Sequence, residues 1–152
     1  IQHGCVQVGR KIYVVGGVES EHSPPVKRTL VYDVWTATWS DAPGLQHPRK
    51  HAVVVALPDG RILVAGGMSD YHPLRSCELF DTKTETWTAA APLAEKRWFG
   101  AGAVLDGRAT FSRPGPGLID TFAWLVAWLR VRARRRRWPA YRPLPERPSS
   151  RA

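Results

Sequence analysis

Hydrophobic residues fall in short runs through the first two-thirds of the chain, each run closed by turn-forming residues. Residues 51–57 (HAVVVAL) are apolar and rich in β-branched side chains, which predicts a strand buried on both faces. Pro58-Asp59-Gly60 follows as a turn, because proline presets φ and glycine supplies a positive one. Residues 61–65 predict a second strand ending at the Gly66-Gly67 doublet, where paired glycines suit close backbone approach. Residues 76–81 (SCELFD) alternate polar and apolar positions and predict a third, half-buried strand. Asp81 opens a tight turn by bonding its own backbone, and Thr86-Trp87-Thr88 begins a fourth strand. The preceding stretch gives the same four strands at about 4–8, 11–15, 29–33 and 37–41.

The correspondence is a sequence repeat. Residues 11–17 (KIYVVGG) recur as 61–67 (RILVAGG) at an offset of 50. Tyr32-Asp33, with Thr36, Thr38 and Trp39, recurs as Phe80-Asp81, with Thr84, Thr86 and Trp87, at an offset of 48. Leu45 and Arg49 recur as Leu93 and Arg97, and His3-Gly4 matches His51-Ala52, at that same spacing. The offset changes at loops, where a structural repeat tolerates insertions. Four antiparallel strands per period is the blade of a β-propeller. A hydrophobic run into Gly-Gly, an aromatic-Asp pair, and Trp six residues beyond the Asp resemble the kelch repeat, whose period is about 50 residues.

The resemblance covers residues 1–107. It implies an all-β fold: a partial kelch-type β-propeller of about two four-stranded blades. Blade 1 is expected at about 1–42, blade 2 at about 50–90, and the first strand of a third at 99–105. Gly16, Gly17, Tyr32, Asp33, Trp39, Gly66, Gly67, Phe80, Asp81 and Trp87 are the motif's structural residues, and the resemblance implies that Trp39 and Trp87 pack between blades. The glycine doublets lack the spacing and following helix of a phosphate-binding loop.

The third copy breaks. Residues 99–105 (FGAGAVL) match 51–57, and Asp106-Gly107-Arg108 matches Asp59-Gly60-Arg61, but residues 109–116 (ATFSRPGP) do not run on to a Gly-Gly. Residues 108–152 read as an Arg/Pro-rich tail, irregular or partly helical, expected to be disordered or a non-native product of a frameshift or retained intron. A short helix is expected over 118–131. Its charge-free part, residues 121–129, is far below the roughly 20 residues of a bilayer span.

Charge divides at the same place. Residues 1–107 hold eleven Lys/Arg and eleven Asp/Glu, whereas residues 108–152 hold eleven Lys/Arg and two Asp/Glu. The net charge of +9 therefore belongs to the tail, and binding to nucleic acid or an anionic membrane is expected only if the tail is genuine. Two blades alone leave open strand edges, so self-association is a further expectation. Cys5 and Cys77 form no metal-type cluster and suggest no disulfide scaffold. No signal peptide is visible, and a cytoplasmic or nuclear location is expected.

No cofactor and no metal are expected. His47 and His51 lie four apart but not on a helix. No GxSxG elbow or carboxylate pair stands out. Loops on a rigid scaffold are the better place for function. Candidate partner-binding residues are His22, Lys27 and Arg28 in the loop 19–28, Tyr71 and Arg75 in its counterpart 69–75, and Arg49, Lys50, Arg97 and Trp98 in the connections between blades. The repetition of Arg49 and Arg97 also fits a structural role. The expected function is a protein-binding module acting as scaffold or adaptor, not an enzyme. Kelch-like proteins include substrate receptors of cullin-type ubiquitin ligases. The alternatives are a fragment of a propeller enzyme, galactose-oxidase-like or sugar-epimerase-like, and a truncated gene product without independent function.

Overall fold

The computed structural model describes residues 1–106 and 108–112. Twelve strands and no helix occur among them. Blade 1 is an antiparallel sheet of β1 (Gly4–Val8), β2 (Lys11–Val15), β3 (Thr29–Asp33) and β4 (Thr38–Ala42), in that order. Blade 2 joins β5 (Val53–Ala56), β6 (Ile62–Ala65), β9 (Cys77–Asp81) and β10 (Thr86–Ala90), with neighbours in the order β5-β6-β9-β10. A small hairpin, β7 (Met68–Ser69) with β8 (His72–Pro73), rises from the connection between β6 and β9. A further hairpin pairs β11 (Gly102–Leu105) with β12 (Arg108–Phe111). The inner strands β1, β5 and β11 stand side by side.

The core lies between the blades because each strand alternates its side chains across the sheet. Tyr13, Val15 and Val31 of blade 1 meet Ile62, Val64 and Phe80 of blade 2, with Leu45 of the connecting segment closing the cluster. The Tyr13 and Phe80 rings meet edge to face at 5.9 Å. Residues of opposite parity in blade 2, Val53 and Val55, lie under the β11–β12 hairpin, which approaches them at Gly102. Neither sheet could bury its apolar face alone, so the fold depends on stacking.

Both aromatic-Asp motifs close alike. Asp33 Oδ1 accepts the backbone N–H of Trp35 and Thr36, and Asp81 Oδ1 accepts those of Lys83 and Thr84. These bonds hold both carboxyls below the usual carboxylate range. The tryptophans then part company. Trp87 stacks on Phe80 at 4.8 Å and its Nε1–H donates to Pro43 O at 2.7 Å, spanning the blade interface. Trp39 stacks on Tyr32 within its own blade and is 58% exposed. The expected packing between blades thus holds for Trp87 and not for Trp39, whose face of blade 1 no described residue covers.

Three details differ from the sequence reading. First, β5 begins at Val53 rather than at residue 51. His51 adopts φ 54°, and its N–H bonds Gln2 O instead of a strand neighbour. Second, the counterpart of His51 is Gln2 (φ 61°), not His3, because β1 and β5 are offset by 49 residues rather than 48. Third, residues 108–111 pair with β11 although they lie in the segment assigned to the tail. Backbone pairing needs no Gly-Gly, and Leu105 pairs directly with Arg108. The expected helix over 118–131 and the arginine run 134–137 lie outside the described residues.

Candidate functional site

Chain direction places the candidate residues. In each blade the second strand ends, the third begins and the fourth leaves at the same end. The connections 16–28 and 66–76 and the linkers 43–52 and 91–101 therefore gather there. Backbone hydrogen bonds tie them into one rim. Leu45 N–H donates to Lys27 O, Gly17 N–H to Arg49 O, Leu93 N–H to Arg75 O and Gly67 N–H to Arg97 O. Lys50 and Met68 exchange both of their backbone bonds, so the first linker is stitched to the second blade's loop. The glycine doublets make this possible. All four glycines have positive φ, and a Cβ on Gly67 would lie 2.7 Å from Lys50 O.

Arg49 is corrected from a partner-binding residue to an interior strut. It is 1% exposed. Its Nη1 donates to Gly66 O at 2.8 Å and Ser76 O at 2.9 Å, and its Nη2 to Ser76 Oγ at 3.2 Å and Glu78 Oε1 at 2.6 Å. Glu78, also 1% exposed, accepts the backbone N–H of Gln46 and His47 as well. These bonds offset the cost of burying the charge pair, and Arg49 Nε alone of its nitrogens is buried without a partner. The reason Arg49 turns inward is positional. Its own carbonyl caps Gly17 of blade 1, which leaves the side chain aimed at blade 2. Arg97 repeats the geometry in part, half-buried with Nη1 on Ser112 O at 3.0 Å, and is likewise drawn into the fold. Glu78 escaped sequence reasoning because its counterpart in blade 1 is Leu30, so the repeat carried no signal for it.

The other candidates face outward. Tyr71 is 89% exposed at the tip of the β7–β8 hairpin, next to Asp70 at φ 51°. Trp98 is 37% exposed on the second linker. His22 and Lys27 are exposed on the first loop. Arg28 is exposed but held by Asp41 at 2.9 Å, and Arg75 Nε–H donates to Leu93 O at 3.0 Å. Lys50 is half-buried. The rim therefore brings His22, Lys27, Arg28, Lys50, Tyr71, Arg75 and Trp98 to one end of the blades.

His51 sits at the inner side of this rim, its ring 3.6 Å from that of Phe99. Burial, with Lys50 beside it, pushes its pKa below the usual value. The fold therefore favours the neutral ring, while the unfolded chain titrates near 6.5. Its contribution to stability is present above that pH and is lost as the pH falls through the lower folded-state value. Phe99 occupies the equivalent backbone position at φ 53°, so His51→Phe is compatible with the fold. Thermal melts of wild type and His51→Phe should converge at pH 7 and above in their pH dependence, with the variant losing less stability toward pH 5. Parallel profiles would show that His51 contributes none of the acid sensitivity.

Among the described residues no three His, Cys, Asp or Glu side chains converge to hold a metal ion. His47 lies 3.7 Å from Glu78, with no third His, Cys, Asp or Glu among the described residues joining them. Cys5 is an exposed free thiol; Cys77 is free and buried, and burial raises its pKa.

Comparison with known proteins agrees with this geometry. The Kelch motif matches residues 2–46 and 48–94. An F-box/kelch-repeat protein of Arabidopsis thaliana is 43% identical over 86 residues, covering 55% of this chain and 30% of the relative. The human Kelch repeat and BTB domain-containing protein 13 is 30% identical over 92 residues, covering 60% of this chain and 20% of the relative. The chain thus spans less than a third of the length of these two relatives. Among solved structures, a fungal alcohol oxidase of the AA5 family, in complex with copper, superposes with a TM-score of 0.61 at 23% identity. The superposition covers 67% of this chain and 24% of the oxidase, a likeness of fold alone. On the match of both repeats, the chain belongs to the kelch-repeat family.

Proposed function

We propose that the chain is a protein-binding module that presents the rim of its blades to a partner. The observation that carries this reading is the convergence of exposed, loop-borne candidates on one end, tied to the sheets by backbone bonds. Tyr71 is the clearest of them, an aromatic side chain raised on a short hairpin. Rigid aromatic anchors contribute disproportionately to protein interfaces because they bury much area at little entropic cost. Relatives whose names join kelch repeats to an F-box or a BTB domain support an adaptor role, in which the blades select the partner.

The test compares affinity capture by wild type, by Tyr71→Ala/Trp98→Ala, and by Trp35→Ala at the opposite end of the blades. Both altered sites are exposed, so thermal stability should stay within about 0.5 kcal/mol of wild type. A partner retained by wild type and by Trp35→Ala, and weakened about tenfold or more by the double variant, is the expected result. Equal capture by all three, or loss only with Trp35→Ala, contradicts the reading.

A further inference from the structure

The connection 16–28 carries a serine in a distinct setting. Ser23-Pro24 is the one Ser-Pro or Thr-Pro step in the 152 residues. It lies between β2 and β3, outside any strand, and Ser20, Glu21, His22 and Pro24 around it are exposed. Proline fixes its own φ, donates no N–H and drives the residue before it to extended backbone. Pro24-Pro25 therefore presents the Ser23 hydroxyl on an extended segment, beside a turn and not within a ladder. The turn is slight. Ser23 N–H donates to Ser20 O at 3.1 Å, and the two hydroxyls share one hydrogen bond of 2.6 Å. Beyond it the loop is anchored, since Pro25 is buried and Val26 N–H donates to Gly17 O at 2.9 Å. The place is an outer one in the plan of the blade itself. The corresponding tip of blade 2 has strands of a neighbour on both sides and still leaves Tyr71 89% exposed.

We propose that Ser23 is a phosphorylation site for a proline-directed protein kinase, and that its phosphate opens the turn 20–23. In the transfer Ser23 Oγ attacks the γ-phosphorus of ATP. The new O–P bond forms as the bond to the β-phosphate oxygen breaks, ADP leaves, and the hydroxyl proton passes to the base of the kinase. The product carries a charge of about −1.5 to −2. Glu19 and Glu21 flank Ser20, the other end of the turn, so the phosphate meets like charge there. The cations of the loop do not offset this. Lys27 lies beyond the buried Pro25, and Asp41 holds Arg28 at 2.9 Å. Esterification also removes the Ser23 proton from the pair with Ser20. The inference rests on the loop's own bonds and not on the reading of the rim as a partner surface.

The test incubates the 152-residue chain with Mg·ATP and a cyclin-dependent kinase bound to its cyclin, and maps phosphate by peptide mass spectrometry. One phosphate on Ser23 is expected, with none in the loop of Ser23→Ala. Pro24→Ala keeps the hydroxyl and the anchors at Pro25 and Val26, and should be modified about tenfold more slowly or worse. Hydrogen exchange then compares the modified and unmodified chains. The Ser23 amide should exchange about tenfold faster once phosphorylated, as expected for loss of its bond to Ser20 O. The Val26 amide should keep its protection in the modified chain and in both variants, which shows that the base of the loop stays folded. No phosphate on Ser23, equal rates for wild type and Pro24→Ala, or Ser23 exchange unchanged by the phosphate overturns the proposal.

Discussion

Replacing Arg49 with alanine should cost about 3–5 kcal/mol of folding stability, because it leaves the Glu78 carboxylate buried without its counter-charge. The pair is fully enclosed, with side-chain exposures of 0% and 2%, so solvent screening does not soften the loss. Glu78→Ala should cost a similar amount, since it strands the guanidinium and the N–H groups of Gln46 and His47 together. Blade 1 carries the apolar Leu30 at the position of Glu78, so an apolar residue suits that place in the sheet. The double variant Arg49→Ala/Glu78→Ala, which strands neither charge, should therefore fall well short of the summed single costs, by about 2–3 kcal/mol. Urea unfolding of wild type, the singles and the double measures this coupling. Additive effects would mean that the two side chains do not act as a unit.

Gly67→Ala should be comparably damaging, for a backbone reason. Gly67 has φ +94°, and an added Cβ would lie 2.7 Å from Lys50 O and 3.0 Å from Ala52 Cβ. Conformational strain of about 1–3 kcal/mol and overpacking of a similar size combine to about 2–6 kcal/mol. Gly9→Ala is the control. Gly9 also has positive φ, at +58°, but nothing lies within 4 Å of its added Cβ. Its cost should be about 1 kcal/mol, from the strain alone. If the two variants melt alike, the close approach of linker to doublet is not what requires glycine at position 67. The same contact bears on the rim, because Gly67 holds the second linker through Arg97 O and Met68 holds the first through Lys50.

The repeat made the strands legible. Gly-Gly, aromatic-Asp and Trp recur because each has the same local duty in both blades: a sharp exit, a capped turn, a stacked ring. What lies between blades was harder to read, because it depends on which neighbour is present. Trp39 and Trp87 are identical in motif, yet only Trp87 has Pro43 O to bond. Arg49 and Glu78 are 29 residues apart in sequence and meet through the stacking of two sheets, and repeat comparison hides Glu78 behind Leu30. The one-residue slip between His3 and Gln2 arises where the linker leaves the strand ladder, a place in which side-chain alternation carries no information. The rim candidates were chosen for loop position and residue type. Those criteria picked the exposed Tyr71 and Trp98 but could not tell half-buried Lys50 from fully buried Arg49, its chain neighbour.

The central claim is that the two blades form one cooperative unit whose linkers are locked into a rim. Native-state hydrogen exchange tests it most directly, by comparing the Gly17 and His51 amides with those of Val31 and Val64 in the central strands. Gly17 bonds Arg49 O and His51 bonds Gln2 O, so both exchange only when the blade contact opens. Protection of the rim amides matching that of the strands is the predicted result, one opening for the whole unit. Rapid exchange at Gly17 and His51 beside slow exchange at Val31 and Val64 would mean that each blade holds itself together and the rim is not a rigid platform.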